Sequence, residues 1–240
     1  MDEWHSDAKK IFSWELSMII NKKRKIIFVK TKKTAGTSFE IALSKFCDSD
    51  DVITPITPKD ERMRLSLGYK GAQNYQNYFW HEFSMQVQGH YFNHMPLSLI
   101  KQAVPNRVFQ DYKKMAIYRN PYDAAVSRYY WEGGLRTGYN FIEYLLAHTN
   151  HLTENETIAP TYGDVQCDIF LRYEALQQDM ELHGLGDVWN VFKNIRAKSD
   201  KRPKVGATVS EVYREFPNAV EIVRKCCAKE IDFLNYASPF

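Results

Sequence analysis

The six residues Lys33-Thr-Ala-Gly-Thr-Ser38 combine a cation, a glycine and two adjacent hydroxyls. That combination can hold an anion when it sits at a helix start. Lys33 supplies a full charge, Gly36 lets the backbone approach a ligand, and Thr37 and Ser38 offer hydroxyls to phosphate oxygens. First-turn N–H groups and the positive end of the helix dipole complete a phosphate site. A nucleoside-triphosphate P-loop would need Gly-x-x-x-x-Gly-Lys-Ser/Thr, and no glycine precedes Lys33 at that spacing.

The flanking residues place this turn. Ile26 to Val29 is a short apolar run bounded by charge, which reads as a buried strand. Phe39, Ala42, Leu43 and Phe46 recur at helical spacing, and Thr37 with Glu40 has the spacing of a capping box, so a helix is expected near Thr37. Lys113 to Tyr118 is a second strand, followed by Asn120 as N-cap and Pro121 at the first helical position. Met85 to Gly89 alternates weakly, which would put His90 at a strand's C-terminal end. A helix is expected from Pro96 with Leu97, Ile100 and Val104 inward, another over 139–147, and a strand over Asp168–Tyr173 leading into a helix to Leu182. Residues 1–24 read as a helix or irregular lead-in, 48–80 as a loop-rich excursion, and 148–166 as polar loop. Val220, Val223, Cys227, Ile231 and Leu234 form a late helical stripe that makes the adjacent cysteines packing residues. Strands alternating with helices imply an α/β fold: one domain over 1–240 with a mainly parallel central sheet flanked by helices.

The wording of Lys33–Ser38 resembles the 5′-phosphosulfate loop of sulfotransferases that use 3′-phosphoadenosine 5′-phosphosulfate (PAPS), closest to the carbohydrate O-sulfotransferase branch, with Lys32 where that loop carries proline. The resemblance spans roughly residues 25–236 and implies a fold similar to the P-loop kinases. Arg119-x-Pro and Ser127 resemble the family's 3′-phosphate motif, in which a guanidinium forks onto the phosphate and a helix hydroxyl joins it. A local pair between Arg119 and Asp123 is the simpler reading of that arginine. The resemblance thus makes Lys33, Thr34, Ala35, Gly36, Thr37, Ser38, Arg119 and Ser127 cofactor-binding positions, with Arg202 of the basic stretch 198–206 closing over the nucleotide. Gly89-His90 resembles the Gly-His of the carbohydrate branch, where histidine is the general base for in-line attack of a hydroxyl on sulfur. His94, then His81 and Glu82, are the other candidates. Lys33 would stabilise the leaving 5′-phosphate, giving adenosine 3′,5′-bisphosphate as product. Phe170 to Leu176 resembles the family's Arg-Tyr-Glu-x-Leu segment, with Glu174 bracing nearby loops.

Composition limits the alternatives. With 44% hydrophobic and 25% charged residues and a net charge of +3, nothing suggests nucleic acid as partner. Cys47, Cys167, Cys226 and Cys227 match no zinc spacing, and no carboxylate cluster calls for a metal. Met1 to Asp7 lacks a signal-peptide pattern and no run of about 18 apolar residues occurs, so a soluble, cytoplasmic enzyme is expected. The acceptor expected from the resemblance is a hydroxyl of a glycan or sugar-containing molecule, with Tyr75, Tyr78, Phe79 and Trp80 as a stacking face or as plain core cover, and the excursion over 48–80 as an acceptor-site lid. A small natural-product alcohol, a Mg²⁺-dependent P-loop-like kinase and a non-catalytic nucleotide-binding module are the competing readings.

Overall fold

The computed structural model describes residues 18–76, 91–197, 202–203 and 205–240, with backbone alone at 78–80, 86–88, 135 and 137. Its strands are β1 (Ile19–Asn21), β2 (Ile26–Val29), β3 (Val52–Ile53), β4 (Tyr78–Trp80), β5 (Gln86–Gln88), β6 (Lys113–Tyr118) and β7 (Ile169–Arg172). Its helices are α1 (Gly36–Ser44), α2 (Pro58–Ser66), α3 (Leu97–Ala103), α4 (Asn106–Asp111), α5 (Pro121–Trp131), α6 (Gly134–Thr137), α7 (Phe141–Ala147), α8 (Thr149–Ile158), α9 (Leu176–Leu182), α10 (Gly186–Phe192), α11 (Val209–Glu215), α12 (Ala219–Cys226) and α13 (Ala228–Leu234).

The main sheet runs in the order β3-β1-β2-β6-β7. Its centre is parallel, β2 against β6 and β6 against β7, while β1 and β3 join antiparallel at one edge. The period-2 pleat sorts side chains cleanly between two layers. Ile26, Phe28, Met115, Ile117 and Leu171 pack with α1, α9 and α10 on one face. Ile27, Val29, Ala116 and Tyr118 pack with α3, α4 and the end of α8 on the other. The central strands are buried on both sides and therefore read as continuous apolar runs rather than alternating ones. A third cluster, built on Tyr129, Phe141, Tyr213 and Val223, joins α5, α7, α11, α12 and α13.

Several expectations are corrected. The lead-in ends in strand β1, a three-residue element too short to show a period. The excursion over 48–80 holds a capped helix, α2, with Thr57 accepting from Asp60 N and Arg64 fully buried beneath it. Residues 149–158 are helical rather than loop. The strand expected over 85–89 forms a separate hairpin with β4 and is not part of the main sheet, so the ligand-binding end of a parallel strand is not where it leads. By contrast, β6 and the start of α5 fall as expected, with Asn120 Oδ1 accepting from Tyr122 N at 3.0 Å.

Candidate functional site

Lys30 leaves the end of β2, Arg119 leaves β6 and Tyr173 leaves β7, and all three line one cleft of about 1870 Å³. Open α/β sheets bind ligands in this place, beyond the carboxyl ends of parallel strands. Lys33, Thr34, Ala35, Gly36, Thr37, Ser38, Arg119, Ser127 and Arg202 all face this cleft. His94 does too. His90, His81 and Glu82 lie outside the described residues.

The loop before α1 is shaped by backbone rather than by a side-chain cap. Lys33 (φ 63°) and Ala35 (φ 61°) are left-handed, and Ala35 is the N-cap of α1. Left-handed non-glycine residues cost about 1–2 kcal/mol each, and such strain gathers at ligand sites. His94 (φ 55°) is a third such residue in the same cleft. A left-handed residue followed by a helix start turns successive N–H groups toward one point, the geometry of an anion nest. The expected capping box is absent: no side chain caps α1, and Glu40 instead pairs with Lys30 at 2.8 Å, both buried. The Lys30 stem runs beneath Gly36, where an added Cβ would lie 2.7 Å from Lys30 Cγ. Gly36 is thus required from below by Lys30, whatever a ligand requires from above.

Hydrogen bonds fix which hydroxyls can serve a ligand. Thr31 donates to the Ile117 carbonyl, so Thr34, 2.9 Å away, donates to Thr31 and ties the loop to β6. Thr34 therefore offers the cleft its backbone rather than its hydroxyl. Ser38 Oγ accepts from Ala197 N at 3.1 Å and keeps its own proton as a donor. The Lys33 ammonium stands 3.9 Å from the centre of the Trp131 ring, a cation–π contact that holds it over the cleft.

Lys32 is held on every side by α8. Its N–H donates to Asn155 Oδ1 at 2.7 Å, and its carbonyl accepts from Asn155 Nδ2 at 3.0 Å. Its ammonium pairs with Glu154, which also takes Arg128 at 2.7 Å, and Arg128 continues to Glu132 at 2.8 Å. Burial alone would raise the Glu154 carboxyl, but the bonds from Lys32 and Arg128 outweigh it and hold the group below its ordinary value. Helix α8 thus does for the loop what a proline ring would do. Its sequence carries few apolar residues, so no periodicity revealed it.

Arg119 forms the local pair with Asp123 that its sequence position allows. Its guanidinium bonds Asp123 at 2.7 Å and 2.6 Å, donates to the Lys33 carbonyl at 3.1 Å, and lies 4.6 Å from the Tyr173 ring centre. The second oxygen of Asp123 takes Arg202 at 2.6 Å. One carboxylate therefore holds two guanidiniums side by side at the cleft wall. Glu174 accepts from Asn120 N at 2.7 Å and braces the turn that carries Arg119.

His94 Nδ1 is 2.8 Å from the Lys30 carbonyl, one residue before the loop. A carbonyl only accepts, so Nδ1 carries the proton and Nε2 is the basic nitrogen of the neutral ring. Among the described residues no three His, Cys, Asp or Glu side chains gather as a metal site, and no helix is long and apolar enough to cross a membrane. Compared with protein-family models, curated proteins and solved structures, the chain shows no significant match.

Proposed function

We propose that the protein is a PAPS-dependent O-sulfotransferase acting on a hydroxyl of a glycan or sugar-containing acceptor. The observation that carries this reading is the meeting, in one cleft, of a left-handed loop at the start of α1 and the guanidiniums of Arg119 and Arg202, which share Asp123 and touch the loop at the Lys33 carbonyl. A helix-start loop with a guanidinium pair beside it suits a nucleotide with a 5′-phosphosulfate and a 3′-phosphate. The loop of residues 33–38 receives the 5′ end, and Arg119, Ser127 and Arg202 receive the 3′-phosphate.

In this mechanism the acceptor oxygen attacks sulfur in line while the sulfur–oxygen bond to the 5′-phosphate breaks. Lys33 and the first turn of α1 stabilise the charge that accumulates on the departing oxygen, and adenosine 3′,5′-bisphosphate leaves. The acceptor's proton passes to a histidine. His94 is the candidate that lines the cleft, with Nε2 as its basic atom, and His90 is the candidate from the Gly-His resemblance.

Transfer of label from ³⁵S-PAPS to a saccharide panel without added metal tests this reading. His94→Ala or His90→Ala, whichever is the base, keeps bisphosphate affinity and loses turnover. Lys33→Ala lowers turnover by about 10²–10³-fold. Phosphate transfer from MgATP in place of sulfuryl transfer would overturn the proposal.

A further inference from the structure

The cleft is lined by cations and by an uncharged wall. Lys193 and Arg196 follow α10, and Arg119 and Arg202 share Asp123. Tyr75, Gln76, Phe92, Asn93, Pro96 and Leu99, after β3 and before or within α3, make a wall with no charged side chain. It belongs to a stretch in which the sequence has no lysine or arginine from Gly71 to Ile100, although the chain has 32 such residues. Of the other cations in the cleft, Lys30 is paired with Glu40, and Lys32 and Arg128 both with Glu154.

We infer that the acceptor is an uncharged saccharide, bound by aromatic faces and amides, and not an anionic polysaccharide. This rests on the sulfotransferase reading and narrows its substrate class. An acidic glycan would need cations to replace the hydration of its carboxylates and sulfates, and forked arginines do this best. Here those cations stand on the donor side. A neutral sugar needs flat apolar surface for its C–H faces and groups that both donate and accept for its hydroxyls. Tyr75 and Phe92 are half-buried rings at the wall, and Gln76 and Asn93 are amides. Asn93 Oδ1 is also buried and meets no donor among the described residues. The rings hold the sugar's face, the amides read its hydroxyls, and His94, next to Asn93 in the chain, lies between this wall and the phosphate loop.

The test is a calorimetric titration of the full chain with neutral oligosaccharides and with uronic-acid oligosaccharides of equal length. It is run with and without adenosine 3′,5′-bisphosphate, at low and at high salt. Neutral saccharides are expected to bind at least about tenfold more tightly, with affinity that salt hardly changes. Tyr75→Ala and Phe92→Ala are each expected to weaken saccharide binding about fivefold or more and to leave bisphosphate affinity unchanged. Equal or tighter binding of the uronic-acid series, or no binding of any neutral saccharide, overturns the inference. Absence of bisphosphate binding is read separately in the same titrations and counts against the donor site.

Discussion

Asn155 clasps Lys32 by both its backbone groups, accepting from its N–H at 2.7 Å and donating to its carbonyl at 3.0 Å. The clasp fixes the residue that enters the loop before α1 and supplies from another helix the rigidity that a proline would supply locally. Two net hydrogen bonds are worth about 1–2 kcal/mol. Asn155→Ala is therefore expected to weaken adenosine 3′,5′-bisphosphate binding by about 5–30-fold, read by calorimetry. Unchanged affinity would show that the loop holds its shape without α8.

Arg119 makes the second prediction. If it and Arg202 receive a 3′-phosphate, the protein distinguishes adenosine 3′,5′-bisphosphate from adenosine 5′-phosphate chiefly through them. A hydrogen bond to a charged group contributes about 1.5–3 kcal/mol. Arg119→Ala should reduce bisphosphate affinity by about 10–150-fold while affecting the monophosphate far less, so that the two ligands converge. Arg119→Lys should recover only part of the difference, because the fork is lost while the charge stays. An equal loss for both ligands would place Arg119 in the scaffold through Asp123 alone.

Gly36 is constrained by the Lys30 stem, whose Cγ would be 2.7 Å from a new Cβ. Gly36→Ala forces that stem aside and disturbs the buried 2.8 Å pair between Lys30 and Glu40. Overpacking of this kind costs about 1–3 kcal/mol, so thermal denaturation should show a clear fall in Tm. An unchanged Tm would contradict the crossing of Lys30 beneath the loop.

Glu230 gives a pH dependence remote from the cleft. Burial pushes its carboxyl up to about 8, against an ordinary value of 4.5; a bond to Cys227 opposes this and the charge of Glu156 adds to it. The unfolded chain ionises at the lower value and the folded protein resists ionisation. The stability this group supplies is therefore complete below about pH 4.5 and is lost as the pH rises toward about 8. Chemical denaturation across that range should show a decline that Glu230→Gln flattens. Equal slopes for the two proteins would contradict it.

The units that line the cleft are legible in the sequence because local signals agree. The apolar runs Ile26–Val29 and Lys113–Tyr118, the glycine, and the Asn120-Pro121 helix start all point the same way. What escaped was tertiary. Glu40 has the spacing of a capping residue, yet it turns to Lys30, because the buried ammonium beneath the loop needs a carboxylate more than the helix needs a cap. Helix α8 has no apolar stripe to betray it and is held at the site by Glu154 and Asn155, both polar. Asp123 and Arg202 are far apart in sequence and meet only because the late loop folds back onto α5. His94 was the second choice for the base on sequence grounds, and its link to the Lys30 carbonyl is invisible to any spacing rule.

Nucleotide preference separates a PAPS donor from ATP in this cleft most directly. Calorimetry of the full chain without metal, with adenosine 3′,5′-bisphosphate and ATP in parallel, measures this. The proposed donor site predicts tight, metal-independent binding of the bisphosphate that exceeds ATP by at least about tenfold. Preference for ATP, or no binding of the bisphosphate, would contradict the assignment of this cleft to a PAPS donor.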